Sequence, residues 1–444
     1  MPSAFNTLTI RRRQAASMAL LAPLSLLYAA VRLVPWLYVG MLTIFLFRPP
    51  DVDLYGADRW TFAIVAGIGL VRMLTSARGL PSPVLLLPMG ALVALTVGGA
   101  ALQPYNAQTW SLLAAKFVEP YILFWLAGAI FATEEAQNLL RTFIFAALAY
   151  LIFTALAQFA GADSLVFPRY ILDSSLGIHA GRARGPLLQA VANGVMLNFF
   201  GLIALQACLK QQWRGLACKL LLLTLPLAIL ATMTRAVWIS FVVSVGARLA
   251  KQGSPPHRWR LAAATAVILV LGVALVSVTG ISQQLEERAG EPGPVEIRMA
   301  VYQAAASMIA ERPLLGWGPN RMPGEVAKRM ASYRLQAYWA HNTYLEILVE
   351  QGLVGLALYL SVFWGLFRLR KSPAQDADST FTASLREIWP ILLGVYAFNA
   401  CFVVMNYQFV NAVLFTLGGI LAASHSRTSA ENSPEHSFDF AHEI

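Results

Sequence analysis

Apolar stretches about as long as a bilayer is thick recur along most of this chain, separated by polar segments. An α-helix satisfies its own backbone hydrogen bonds, so such runs predict membrane-spanning helices. Strands of outer-membrane barrels are shorter and alternate apolar with polar residues, and these runs have neither property. The pattern predicts an all-α, polytopic helical bundle of about twelve crossings. The predicted crossings are 23–47, 60–76, 81–102, 110–132, 139–160, 192–209, 217–234, 236–250, 260–282, 343–367, 385–405 and 408–424.

Two polar stretches are too long to be simple turns, and they divide the chain. One, at about 161–191, interrupts a transmembrane region that covers 1–282 and holds the first nine predicted helices. The other, 283–342, is a large loop that precedes the last three predicted helices at 343–424. The polar remainder, 425–444, is expected to be a disordered tail.

The composition excludes a soluble domain, because 57% of the residues are hydrophobic and only 13% are charged. Loop lysines and arginines that hold a membrane topology account for the net charge of +10, which is therefore poor evidence for nucleic acid. Both termini and the basic clusters fall on one side of the predicted crossings, which the positive-inside rule makes cytoplasmic. Both long loops then face outwards, and the N-terminus is interpreted as a retained anchor. The clusters are 11–13, 72–78, 210–219, 251–260 and 368–371.

The sequence lacks the motifs of metal and nucleotide chemistry. Cys208, Cys218 and Cys401 have no spacing typical of a metal site or a disulfide framework. No phosphate-binding loop, Rossmann glycine pattern, zinc motif or nucleophile elbow is present. We therefore expect no metal and no cofactor. A glycan transferase with an outward-facing site is separated from cytoplasmic nucleotide sugars, so its donor would have to be lipid-linked.

The large outer loop contains a predicted amphipathic helix. Pro294 suits a helix N-terminus, apolar positions from Val301 to Met308 recur at helical spacing, and Pro313 ends the pattern. Arg298 lies on the first turns of this helix, and Arg321 follows it. The basic residues of this loop alternate with glutamates, so they suit either a salt-bridged surface or an anionic ligand that guanidinium groups grip bidentately.

The segment "AHNTYLEILVEQGLVG" joins the large loop to the next predicted helix. His341 stands just before that helix, where an imidazole could accept a proton near neutral pH. Thr343 and Glu346 have the spacing of a capping box, which is a structural role for Glu346. Glu350 lies one turn deeper and should face the bundle interior or a cavity.

Further arginines stand at the predicted outer ends of helices. Arg235, in "MTRAVWISFVV", suits either a side chain that reaches the lipid headgroups or a charge directed at a headgroup-level phosphate. Arg182 and Arg184 flank a small residue in "RARGPLLQAVANG". Within one predicted crossing, Lys116 and Glu119 are expected to pair with each other.

Four of these segments resemble the O-antigen ligase and polymerase family of bacterial envelope glycan assembly. "RARGPLLQAVANG" is similar to the family's outer-loop Arg-x-x-Gly segment, and "MTRAVWISFVV" to its arginine-containing helix start. "RMAVYQAAASMIAERPLLGWGPN" resembles its loop helix and turn. "HNTYLEILVEQGLVG" fits the ligase pattern, with His341, Asn342, Gly352 and Gly355 at the matching positions. The segments cover roughly 180–360 in the family's order.

The resemblance implies a metal-independent enzyme of the bacterial inner membrane, with its active site facing the periplasm. Its donor would be a glycan on undecaprenyl diphosphate, and its acceptor the lipid A–core saccharide. Arg235 and Arg298, with Arg182 or Arg184, would grip the diphosphate, and His341 would activate the acceptor hydroxyl. The other expected substrate-binding residues are Asn342, Glu346 and Arg321.

Three alternatives remain open at this point. A polymerase would use another lipid-linked repeat as its acceptor, and a third kind of transferase would act on a protein such as pilin. A transporter for lipid-linked glycans would not be an enzyme. Transporters tend to carry midplane charges, internal repeats or broken helices, whereas the charged residues here gather at the outer end.

Overall fold

The computed structural model describes residues 32–49, 56–75, 83–177, 179–212, 215–251, 293–330, 340–371 and 379–431. All the regular structure in these ranges is helical. The α-helices are α1 Arg32–Phe47, α2 Ala57–Thr75, α3 Pro83–Ala101, α4 Ala107–Leu113, α5 Glu119–Ile130, α6 Glu134–Phe159, α7 Ala190–Leu209, α8 Leu216–Ala231, α9 Arg235–Ala250, α10 Gly293–Glu311, α11 Met322–Arg329, α12 Thr343–Arg368, α13 Thr380–Ala400 and α14 Gln408–Glu431.

The all-α fold and the membrane-protein character are confirmed. Five helical segments are long and apolar enough to cross a membrane, and three shorter apolar helices accompany them. The predicted crossing at 260–282 lies outside the described residues, and the total of about twelve crossings stays a prediction. Helix α14 continues to Glu431, into the predicted tail, whose remainder is also outside the described residues. The five segments are Val84–Ala101, Ala107–Ile130, Glu134–Phe159, Ala190–Leu209 and Thr343–Arg368.

Small residues bring α5 and α14 together at the centre of the bundle. A Cβ atom at Gly419 would stand 2.1 Å from the Phe124 carbonyl oxygen, and one at Gly128 would stand 2.3 Å from Cβ of Ala423. Only glycine allows two helices this approach, which is how membrane helices gain packing without a hydrophobic driving force between them.

Hydrogen bonds from the two long loops to the ends of helices place both loops at one end of the bundle, which we call the site end. The Tyr170 hydroxyl donates to the Phe47 carbonyl at 2.9 Å, and the Ala183 N–H donates to the Ala231 carbonyl at 3.0 Å. Arg321 Nε donates to the Gln103 side chain at 3.0 Å. These bonds join the ends of α1, α3 and α8 to loop residues, so residues from both loops lie at the site end.

The predicted loop helix is confirmed as α10, which begins at Gly293 and ends at Glu311, just before Pro313. Its buried residues Val301 and Met308 form a small second core with Met322 and Val326 of α11 and Val349 of α12. The large loop is thus a helical layer packed onto the start of α12.

One cavity of the described bundle lies at the opposite end. It has a volume of about 280 Å³ and is lined by polar residues that include Glu134, Gln137, Ser379 and Ser424. None of the predicted site residues borders it.

Candidate active site

Helix α12 is broken at Gly352, whose φ of 65° and ψ of −167° are not helical. The break frees backbone groups on both sides, and in a membrane such groups need partners. The segment 313–318 of the large loop supplies them by laying its own backbone against the break. The bonds are Trp317 N to Val349 O at 3.0 Å, Gly318 N to Glu350 O at 2.7 Å, Leu353 N to Pro313 O at 2.8 Å and Val354 N to Leu314 O at 3.2 Å.

Glycines are required where these two backbones meet. A Cβ atom at Gly352 would stand 2.2 Å from the Leu314 carbonyl oxygen, and one at Gly316 would stand 2.5 Å from the Glu350 carbonyl carbon. Both residues also have positive φ, which glycine adopts without strain. The glycines of "GWGPN" and "EQGLVG" therefore allow the loop backbone to pack against the break in α12.

Asn342 caps the outer half of α12, which is the half-helix Thr343–Gln351. Its side chain accepts from the N–H groups of Tyr344 at 3.0 Å and Leu345 at 3.1 Å. The predicted capping box of Thr343 and Glu346 is therefore wrong. The Thr343 hydroxyl instead donates to the Val403 carbonyl at 2.8 Å, which fixes the half-helix to the end of α13.

Glu346 is buried and forms an ion pair with Lys116 at 2.5 Å. Lys116 lies on a π-helical turn, Ala114–Val118, between α4 and α5, and such turns are frequent at functional sites. The predicted pair of Lys116 with Glu119 is wrong, since Glu119 accepts from Gln408 at 2.7 Å. Sequence reasoning missed the Lys116–Glu346 pair because its members are 230 positions apart.

Glu350 is buried one turn below Glu346, as a carboxylate in a membrane helix should be. Its Oε1 accepts from the Met322 N–H at 3.4 Å, so it faces the start of α11. The side-chain oxygen of its neighbour Gln351 is buried and has no hydrogen-bond partner among the described residues.

His341 precedes this half-helix and has a positive φ of 48°. Its side chain is exposed by surface area, yet the protein around it is dense enough to desolvate it partly. This desolvation lowers the pKa of His341 below its ordinary value, and the positive charge of Arg298 lowers the pKa further. The two side chains are thus close enough to interact, and the imidazole is held in the neutral form that a base needs.

Arg298 differs from Lys328 and Arg329 of the large loop. In the ranges that the structure covers, it forms no ion pair, and it is exposed on α10. Arg329, in contrast, contacts both Glu311 and Glu325. Lys328 pairs with Glu325, and the Arg312 guanidinium lies 4.4 Å from the Trp317 ring centre. The salt-bridged interpretation thus fits Lys328 and Arg329.

Arg235 is the first residue of α9 and is exposed at the site end. Trp238 fixes the turn before it by donating from Nε1 to the Ile229 carbonyl at 3.0 Å. Arg235 has no hydrogen-bond or ion-pair partner within the described residues of the chain, and its side chain is exposed.

Arg182 and Arg184 have different environments. Arg184 is fully buried, and its guanidinium donates to the carbonyls of Ile171, Asp173 and Leu176, so it holds the 161–189 loop together. Arg182 is partly exposed. Of the two side chains, Arg182 is the one that a ligand could reach.

The predicted residues form two groups at the site end. The charge of Arg298 acts on His341, which places these two side chains in one group. Arg182 lies beside the turn that carries Arg235, because the Ala183 N–H donates to the carbonyl of Ala231 in α8.

Two bonds link the groups through α13 and the turn after it. Ser240 of α9 accepts from Asn399 at 3.0 Å, and Thr343 donates to the carbonyl of Val403.

The residues described include no group of three or more His, Cys, Asp and Glu side chains that could hold a metal ion.

Residues 220–360 match the model of a protein family described as O-Antigen ligase. Over this segment the chain is similar to the O-antigen ligase family. The family resemblance is thereby confirmed for the three sequence motifs inside this range, and the motif that contains Arg182 lies before it. The matched segment contains Arg235, Arg298, His341 and the glycine at the break in α12. Arg182 and Lys116 lie before it. A search of curated proteins finds no match to the chain.

Proposed function

We propose that the protein transfers a glycan from a polyprenyl diphosphate, such as undecaprenyl diphosphate, onto the lipid A–core saccharide. The similarity of residues 220–360 to the O-antigen ligase family supports glycan transfer in general. The observation that carries the specific proposal is the packing of α10 beside His341: Ala340, its neighbour in sequence, is buried in one cluster with Val301, one turn after the exposed Arg298. A base and a guanidinium side by side are what a displacement at a phosphorylated sugar requires.

In the proposed reaction, an acceptor hydroxyl oxygen attacks the anomeric carbon of the donor sugar. The bond from that carbon to the diphosphate oxygen breaks, and its electron pair leaves with the lipid diphosphate. The hydroxyl proton passes to His341. A single displacement of this kind inverts the anomeric centre.

Guanidinium groups would stabilise the leaving diphosphate by bidentate, charge-assisted hydrogen bonds. Arg235 and Arg298 are the candidates with exposed side chains, and Arg182 is the third. Arg184 is already enclosed by carbonyl groups and would act by holding the loop that carries Arg182. This assignment gives each arginine a role that its surroundings allow.

Asn342, Glu346 and Arg321 use their side chains on protein partners in this structure. Direct contact of any of the three with substrate stays a prediction. Their observed bonds support a structural role: Asn342 and Glu346 would fix the half-helix behind His341, and Arg321 would tie the large loop to α3.

The proposed setting is the bacterial inner membrane, with both termini in the cytoplasm and the site end facing the periplasm. Loop charge supports this orientation. The proposed regions are the transmembrane region 1–282, the periplasmic loop 283–342 and the final crossings 343–424. An outward-facing site requires a donor that has already crossed the membrane on its lipid.

The break in α12 also bears on the transporter alternative, which expects broken helices. In such transporters the unwound carbonyls are left free to coordinate ions. Here the carbonyls of Val349 and Glu350 accept from the 313–318 backbone instead. The break therefore fits a fixed scaffold for the site better than an ion-coupled transport element.

The test uses purified full-length protein with lipid-linked glycan and lipid A–core. The proposal expects a lipid A–glycan conjugate and release of polyprenyl diphosphate. A ladder of longer lipid-linked glycans without a lipid A conjugate would instead establish a polymerase. Movement of the lipid-linked glycan across proteoliposomes with no new glycosidic bond would establish a transporter.

A further inference from the structure

The tip of the segment that fills the α12 break is apolar and exposed. Leu314 is 63% exposed and Leu315 is 61% exposed, in a loop that the sequence pattern places outside every predicted crossing. Two adjacent large leucines this exposed are unusual on a water-facing loop and indicate a contact surface.

The leucine tip continues the apolar surface of α12. Its position is set by the bonds from Leu353 and Val354 to the carbonyls of Pro313 and Leu314. Leu353 and Val354 are themselves 51% and 41% exposed, on a helix that is long and apolar enough to cross the membrane. The exposed leucines therefore stand beside a surface that faces lipid.

The residues around the tip are those typical of a membrane interface. Trp317 follows the leucines, and its ring nitrogen donates to the Met308 carbonyl at 2.9 Å, which fixes the ring. The Arg312 guanidinium lies over that ring and is exposed. Tryptophan and arginine suit the headgroup level, whereas leucines suit the acyl chains below.

We propose that Leu314 and Leu315 insert among the acyl chains of bilayer phospholipids, so that the segment Arg312–Trp317 anchors the large loop to the membrane surface. The anchor holds α10 and Arg298 close to the depth of the lipid headgroups. It requires only that the protein lies in a membrane, and it does not depend on the glycan acceptor or on catalysis.

The experiment measures which quencher reaches a fluorescent label at the tip. Leu315→Cys is labelled with bimane in a Cys401→Ser background, because Cys401 is an exposed cysteine. The protein is placed in nanodiscs of phosphatidylethanolamine and phosphatidylglycerol, with and without doxyl-labelled lipid, and is titrated with iodide. The labelled background protein corrects for label at Cys208, which is partly exposed.

Two matched positions calibrate the result. Leu360→Cys, on the inner half of α12, is the lipid-facing control and is 48% exposed. Lys328→Cys, on α11, is the water-facing control, with 67% of its side chain exposed.

We expect the label at 315 to lose most of its fluorescence to doxyl lipid and little to iodide, as at 360. Quenching by iodide as strong as at 328 would place the tip in water and overturn the proposal. Protection from both quenchers would show that protein covers the tip, which also overturns it. Unmodified protein exposed to a photoactivatable phospholipid gives an independent check, since adducts should form at 313–316 and not on α11.

Discussion

The two halves of α12 differ in how the fold holds them. The outer half, Thr343–Gln351, buries four polar side chains and is fixed by specific bonds to other elements. The inner half, which starts at Leu353, presents exposed Leu353, Leu360 and Trp364. The buried polar residues of the outer half are Thr343, Glu346, Glu350 and Gln351.

This difference shows how a membrane helix can carry a chemical group at a fixed place. The inner half needs only apolar packing and lipid, which tolerate small shifts. The outer half is separated from it at Gly352, so its orientation depends on individual bonds such as Lys116–Glu346 and Thr343–Val403. Changes in the outer half should therefore alter activity sharply, whereas apolar exchanges in the inner half should not.

Removing the imidazole at the head of the outer half should have the largest effect. His341→Asn is the preferred change, because asparagine tolerates the positive φ at this position better than alanine does. Loss of a general base should slow transfer by about 10²–10⁴-fold. The measurement is the initial rate of lipid A–glycan formation by the purified variant.

His179→Asn is the matched control, since His179 also has positive φ and lies in the other loop at the site end. Its rate should stay close to that of the parent. A parental rate for His341→Asn, with intact folding, would remove His341 from the proposed mechanism.

Breaking the Lys116–Glu346 ion pair should have the second-largest effect. Lys116→Met leaves the buried Glu346 carboxylate without its cation, which should cost about 3–5 kcal/mol of stability. Thermal unfolding in detergent or nanodiscs measures this loss. The double change Lys116→Met with Glu346→Gln removes both charges and should regain most of the stability. If the double variant is as unstable as Lys116→Met alone, an unpaired Glu346 charge is not the cause.

The break itself can be tested at Gly352. Gly352→Ala must place a Cβ atom against the Leu314 carbonyl at positive φ, a strain of about 1–3 kcal/mol. The loop segment should move away, lowering both thermal stability and transfer. Gly394→Ala is the control, because Gly394 lies in α13 with no atom within 4 Å of the added Cβ. Equal stability of the two variants would contradict the close packing of loop and helix.

The apolar pattern was enough to predict most of the helices. The prediction of 192–209 corresponds to α7 at Ala190–Leu209, and 343–367 to α12 at Thr343–Arg368. The loop helix was also predictable, because its apolar spacing and its flanking prolines are local signals. These features depend on residues close together in the chain.

The contacts that position the site were not predictable in this way. Nothing near Glu346 indicates that Lys116 is its partner, and the choice of Asn342 over Thr343 as the cap depends on Val403 taking the threonine hydroxyl. The glycines of "EQGLVG" could have indicated a break, since a glycine inside a helical pattern weakens the prediction of a continuous helix and often has a packing reason. Which segment fills the break depends on the tertiary fold.

The smallest expected effect concerns the charge beside His341. Partial burial is the larger cause of its lowered pKa, and Arg298 is the smaller one, so Arg298→Gln should raise the pKa of His341 only some of the way to its ordinary value. The imidazole then becomes protonated at higher pH, and the acid limb of the pH–rate profile for kcat/KM should move upwards. Near that limb, the decrease in kcat/KM caused by Arg298→Gln should exceed its decrease at high pH by a few-fold.

Loss of a diphosphate contact would lower the rate equally at every pH, so the shape of the profile separates the two roles of Arg298. Arg312→Gln is the matched control, because Arg312 lies in the same loop but contacts the Trp317 ring, and its profile should keep the parental acid limb. An unmoved limb in Arg298→Gln, with the rate reduced uniformly, would leave Arg298 with phosphate binding alone. The fixed outer half of α12 would then present His341 without electrostatic help from α10.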